Sequence, residues 1–293
     1  GEADEFYWGY GNTLLMNTRV SNLSPYMNPL HFFFGVGTFF APLVLAGTIR
    51  QQGGIRFGYW GLALISLLVL VQLINLRIPL DSRLEEEMGG NSVSTGTQNP
   101  GTGMLLIGLF FFFYVGVEDG FGNWISTFSL KIQLTGEAGA AVLTSAYWGA
   151  FTLGRLISIP VSIKVTPGRL VLFSLLGAWI SLGLILLFPG NPAAVWAGSI
   201  LLGLSISSIF PTMLSFSKAL MPLTGKLTSY FFISGGLGAM FLPWLIGRFV
   251  EKTAPLAIMI IFFAAISISG IVYGFLLSFR GKPSPPEATP GQV

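Results

Sequence analysis

The sequence has no cysteine and a single histidine, His31. The first absence excludes disulfides, thiolate metal sites and a cysteine nucleophile, and the second removes a histidine-based zinc or haem centre. Charge is scarce as well. Asp, Glu, Lys and Arg supply 9 % of the 293 residues, where a soluble domain uses roughly a quarter to build its hydrated shell. The net charge of +3 is dispersed along the chain and forms no basic patch, so nucleic acid is not an expected partner. There is no phosphate-binding loop, no metal-spaced cluster and no Ser/His/Asp set, so neither an enzyme activity nor a cofactor is expected.

Apolar residues fill the space that charge leaves. They make up 52 % of the chain, with 26 Phe and 38 Gly, and the mean hydropathy is +0.73. Phe suits a lipid-facing surface, and Gly lets helix backbones approach closely. A helix needs about 20 apolar residues to cross a bilayer. Segments 28–49, 57–76, 103–128, 138–160, 168–188, 193–216, 228–248 and 254–279 meet that length, and 6–18 reads as the end of a further helix. Glu2, Asp4 and Glu5 stand where a signal peptide would be basic, and the first residue is Gly, so further sequence upstream is expected.

Residues 77–102 form the longest polar stretch, with Asp81, Arg83 and Glu85 to Glu87 followed by a Gly/Ser/Thr/Asn run; they read as a linker. The Pro-rich tail 281–293 reads as disordered. Alternate loops place Arg77, Arg83, Lys164, Arg169, Lys218, Lys226, Arg280 and Lys282 on one side, and Arg50, Arg56, Lys131, Arg248 and Lys252 on the other. The excess puts the linker and C-terminus in the cytoplasm. The expected organisation is a remnant of one bundle over 1–76, a cytoplasmic linker over 77–102, a six-helix bundle over 103–280 and a cytoplasmic tail.

Segment 103–128 carries the sharpest chemistry. Glu118 and Asp119 follow a long apolar run, and a carboxylate at such depth costs several kcal/mol unless it meets a cavity, a partner or a proton. Asp119, Asn123, Ser126 and Thr127 recur at helical spacing as a polar stripe. Gly116, Gly120 and Gly122 interrupt the same helix, which can open its backbone to a water-filled cavity. The alternative is that both carboxylates are merely solvated at an interface. Tyr147 and Trp148 can stack on a sugar face or serve as interfacial anchors. Ala146, Ala150, Gly154 and Ser158 form a small-residue seam. Arg155, near a helix end, calls for a carboxylate partner, terminal carbonyls or snorkelling, and an ion pair with a structural or gating role is expected. Pro211 frees a carbonyl one turn earlier, so a kink is expected there, and Gly235 and Gly236 imply tight packing or bending. His31 at a helix mouth reads as packed or interfacial.

The segments GNTLLMNTRVSNLSPYMNPLHFFFGVGTFFAPL, YVGVEDGFGNWISTF, YWGAFTLGRLISIP, GLSISSIFPT and TSYFFISGGLGAMFLPWLIG resemble the major facilitator superfamily, in particular the branch with fucose permeases and sodium-dependent glucose transporter-like proteins. The resemblance runs from about Gly11 to Arg280. It implies an all-α polytopic membrane protein with a complete C-terminal six-helix half and the last part of an N-terminal half. The eight full helices then correspond to the fifth through twelfth of a twelve-helix carrier. The family's early helices, which hold the coupling carboxylates of fucose-permease-like carriers, have no counterpart here, so no coupling residue carries over.

The reading is a secondary carrier in the plasma (inner) membrane for a sugar or related polyhydroxylated solute, with H+ or Na+ as candidate coupling ions. Glu118, Asp119, Asn123 and Trp124 would line or gate the path, with Tyr147 and Trp148 as an aromatic wall. Two alternatives stay open: a truncated non-transporting membrane paralogue acting as scaffold or receptor, and an efflux carrier for apolar compounds.

Overall fold

The computed structural model describes residues 100–221, 225–250 and 254–279, together with scattered helical positions between 37 and 71. Most of the expected N-terminal remnant, the linker up to residue 99, His31 and the tail 281–293 lie outside the described residues. Among those described, the secondary structure is helical throughout: α1 (Pro100–Lys131), α2 (Glu137–Lys164), α3 (Pro167–Leu187), α4 (Pro192–Ile206), α5 (Ile209–Leu220), α6 (Gly225–Val250) and α7 (Leu256–Phe279).

Local sequence marks the boundaries. Pro167 and Pro192 each occupy the first turn of a helix, where a missing N–H costs nothing. Asn191 caps α4 by accepting from the Ala193 and Ala194 amides. The segment expected as one helix over 193–216 is broken at Ser207 and Ser208, one turn before Pro211. The physical reason is direct. Pro211 cannot donate to the carbonyl four residues back, and in the first turn of α5 its missing donor would be unpaired in any case.

Taken as one pass, Pro192–Leu220 is long and apolar enough to cross a membrane, as are Gly101–Lys131, Pro167–Leu187, Lys226–Val250 and Leu256–Ser278. Helix α2 has 28 residues, also enough to span, but Glu137, Arg155, Lys164 and several Gly, Ser and Thr lower its apolarity. The chain is thus an integral membrane protein, and many of its hydroxyls are satisfied within their own helices. Thr152, Ser181, Ser199, Ser217 and Ser269 each donate to the carbonyl four residues earlier, as a hydrocarbon surround requires.

Helix α1 is the axis of the bundle, packed against α2, α6 and α7. Its closest approach is to α6, where a Cβ on Gly238 would run into the Phe112 carbonyl and one on Gly116 would stand 2.8 Å from the Gly238 oxygen. The small-residue seam of α2 meets α4 in the same way. A Cβ on Gly203 would lie 2.5 Å from the Tyr147 carbonyl oxygen, and one on Gly154 would strike the Ser207 hydroxyl. Polar ties join the remaining helices: Trp179 of α3 donates to Ser267 of α7 at 3.2 Å, and the Tyr273 hydroxyl donates to the Gly168 carbonyl at 2.6 Å.

Candidate functional site

Glu118 and Asp119 are neighbours in sequence but not in environment. Successive residues on a helix point about 100° apart, and the two carboxylates take opposite fates. Glu118 is turned into the bundle and is 6 % exposed. Arg155 of α2, 2 % exposed, reaches it with an Nη2 to Oε1 distance of 3.3 Å. Tyr114, one turn earlier on α1, donates to Glu118 Oε2 and also lies 3.1 Å from the carbonyl oxygen of Ile206, the last residue of α4. Tyr147 of α2 donates to the Glu118 backbone carbonyl at 2.7 Å. Two side chains from two helices, Tyr114 and Arg155, meet the buried carboxylate, while Tyr147 holds the backbone of the same residue.

The Arg155 guanidinium is incompletely satisfied. Its Nε and Nη1 have no acceptor among the described residues. The Phe151 ring lies under it, 4.4 Å from the guanidinium carbon, a contact that contributes roughly 0.5–2 kcal/mol. A buried cation so placed depends on Glu118 for its neutralisation.

Asp119 faces the other way. It is half-buried, and Asn123 beyond it is exposed, with Ser126 and Thr127 half-buried on the same stripe. The stripe is deep. Helix α1 has 32 residues, a rise of about 48 Å against a hydrocarbon core of roughly 30 Å. With the core centred on the helix, Asp119 stands only about 5 Å from the midplane and Asn123 about 11 Å.

The six residues expected to line one path therefore do not share a surface. Tyr147 is fully buried and Trp148 is 7 % exposed. The two rings meet edge to face at 5.0 Å, and the Trp148 indole lies over Gly122. In this conformation they pack the α1–α2 contact, because α2 crosses α1 with its aromatic face inward. Glu118 likewise sits in a buried ion pair with Arg155 in this conformation. The Trp124 indole lies over Gly247 of α6, 3.7 Å from where a Cβ would stand. Gly235 packs against Val115, Gly236 is half-buried, and Pro211 sits buried just past the α4–α5 break. Sequence reasoning missed Tyr114. Its signal was present: a tyrosine four residues before a buried carboxylate shares that carboxylate's helix face.

With the geometry in place, similarity to known proteins is informative. No family model matches the sequence. The chain is 28 % identical to sodium-dependent glucose transporter 1 of Homo sapiens over 93 % of its own length and 59 % of that protein. The protein of the same name from Xenopus laevis is 27 % identical over 81 % of the chain and 53 % of that protein. Major facilitator superfamily domain-containing protein 4A of Danio rerio is 30 % identical over 59 % of the chain and 31 % of that protein. The chain spans 53–59 % of the two sodium-dependent glucose transporters and 31 % of protein 4A. In three dimensions it matches the crystal structure of the major facilitator superfamily transporter FucP in the outward conformation, with a TM-score of 0.63 at 16 % identity, over 87 % of this chain and 69 % of that one. The chain has the major facilitator fold, and within that superfamily its sequence resembles the branch of fucose permeases and sodium-dependent glucose transporter-like proteins.

Proposed function

We propose that this chain is the greater part of a secondary carrier that moves a sugar or related polyhydroxylated solute by alternating access between two helix bundles. Residues 103–280 would form one bundle, residues 1–76 would belong to the other, and the linker over 77–102 and the tail would be cytoplasmic, in a plasma membrane. The observation that carries the reading is the stripe of Asp119, Asn123, Ser126 and Thr127, which starts near the middle of the central helix and runs toward its C-terminal end. Its groups are mostly uncharged hydrogen-bonders, which fits hydroxyls better than it fits an anion.

Two considerations support the assignment. The relatives carry sugar-transport names, and sodium in those names makes Na+ a candidate coupling ion beside H+. Division of labour within the site follows from burial. Asp119 and Asn123 contact the solute, Trp124 closes the α6 side, and Glu118, Tyr147, Trp148 and Arg155 hold or gate the α1–α2 contact. Pro211, Gly235 and Gly236 give α5 and α6 their shape.

Uptake tests this. The full-length protein in proteoliposomes, offered a panel of radiolabelled neutral monosaccharides under inward H+ or Na+ gradients, is expected to accumulate at least one of them above protein-free vesicles. No accumulation of any sugar under either gradient sinks the substrate assignment, and efflux of an apolar dye by the same vesicles would replace it.

A further inference from the structure

The hydroxyl of Tyr114 has two acceptors within reach and one proton to give. It donates to Glu118 Oε2, and the Ile206 carbonyl oxygen stands 3.1 Å away. Both contacts are satisfied together only if the second proton comes from the carboxyl. With Glu118 ionised, the phenol proton is held by the carboxylate, and the Ile206 carbonyl does not receive it. With Glu118 neutral, its own O–H donates to the phenol oxygen and the phenol proton turns to Ile206. Ile206 is the last residue of α4, immediately before the break at Ser207 and Ser208.

Charge balance supplies the reason for a proton to arrive. Glu118 and Asp119 are two carboxylates served by one cation, Arg155, which interacts electrostatically with both. Fully ionised, the triad carries one uncompensated negative charge at mid-membrane depth, which is costly. One proton removes that excess. With the proton on Glu118, Asp119 becomes the counter-charge of Arg155. The ionisable groups facing Glu118 are Tyr114 and Asp119 of its own helix and Tyr147 and Arg155 of α2. Among the described residues the other helices bring none to it. On α6, Lys226 is exposed, Tyr230 packs at Gly108 and Arg248 lies over Trp244. On α5, Lys218 is exposed, and Tyr273 of α7 bonds to Gly168.

We propose that Tyr114 is a positioning residue that couples proton binding at Glu118 to the α4–α5 break, holding Ile206 when the carboxyl is neutral and releasing it when the carboxylate is ionised. Its use in a transport cycle rests on the carrier reading, but the coupling itself needs no solute.

The test exploits the absence of cysteine from these 293 residues, with any cysteine elsewhere in the full-length protein replaced. Leu201→Cys on α4 and Ala219→Cys on α5, both at exposed positions, carry a spin-label pair across the break in the full-length protein, without solute. Between pH 8 and pH 5 the mean label distance is expected to shift by about 2 Å, the size of a helix adjustment at a packed interface. Tyr114→Phe should abolish the shift, and Glu118→Gln should hold the pH 5 distance at both values. A parent distance independent of pH, a Tyr114→Phe variant that shifts as the parent does, or a Glu118→Gln variant that still responds would each overturn the proposal. If Tyr114→Phe does not fold, Glu118→Gln decides alone. A shift with this pattern in a protein that takes up no sugar would separate the coupling from the carrier reading.

Discussion

Replacing Arg155 by alanine is expected to destabilise the bundle by about 3–5 kcal/mol at pH 8, the cost of leaving one member of a buried ion pair without its partner. Glu118 is 6 % exposed and Arg155 is the only cation within ion-pair distance of it among the described residues. Tyr114 and the bundle around it hold the carboxylate in place, so it has no route to water without unpacking the α1–α2 contact. Removing both charges tests the cause. A Glu118→Gln/Arg155→Met double variant should recover most of the loss, because neither residue then carries an uncompensated charge. Denaturant unfolding in bicelles or mixed micelles reads the differences. A single variant within about 1 kcal/mol of the parent would mean that the pair contributes little; the same loss in the double variant would mean that packing of Arg155 on Phe151 matters more than charge.

The second large effect concerns transport and leaves stability nearly unchanged. Asp119→Asn in the full-length protein is expected to lower uptake about tenfold or more, the equivalent of losing a hydrogen bond to a charged group, and Asn123→Ala about threefold to tenfold. Glu118, not Asp119, is the residue in ion-pair contact with Arg155, so with Glu118 ionised at pH 8 both variants should unfold near the parent midpoint. Wild-type uptake in both would remove the stripe from the solute path. Loss of uptake accompanied by loss of stability would place Asp119 in the structural network with Arg155.

Much of the helical layout is legible in the residues themselves. The expected segments 168–188 and 254–279 correspond to Pro167–Leu187 and Leu256–Phe279, because long apolar runs bounded by Pro, Gly or Asn leave little choice of element. The break before Pro211 is foreshadowed by the proline, but its place at Ser207 and Ser208 depends on which carbonyl loses its donor. The site is less legible. The pattern on α1 gives the Asp119–Asn123 stripe, which is a property of one helix. It does not give the partners of Glu118, because those depend on how far α2 is slid and turned against α1. The α1–α2 crossing puts Arg155 and Tyr147 opposite Glu118 and turns Trp148 inward onto Gly122. Helical spacing alone would have paired Tyr114 with Glu118.

The central claim is that the Asp119–Asn123 face of α1 borders the path of a hydroxylated solute. Asn123→Cys in the full-length protein, with any cysteine outside these 293 residues replaced, tests it most directly, with a membrane-impermeant maleimide added to intact vesicles with and without the transported sugar. The account predicts modification that slows severalfold when the sugar is present and is unaffected by an untransported one. A cysteine that never reacts from either side of the membrane, or one that reacts equally fast at saturating sugar, would contradict it.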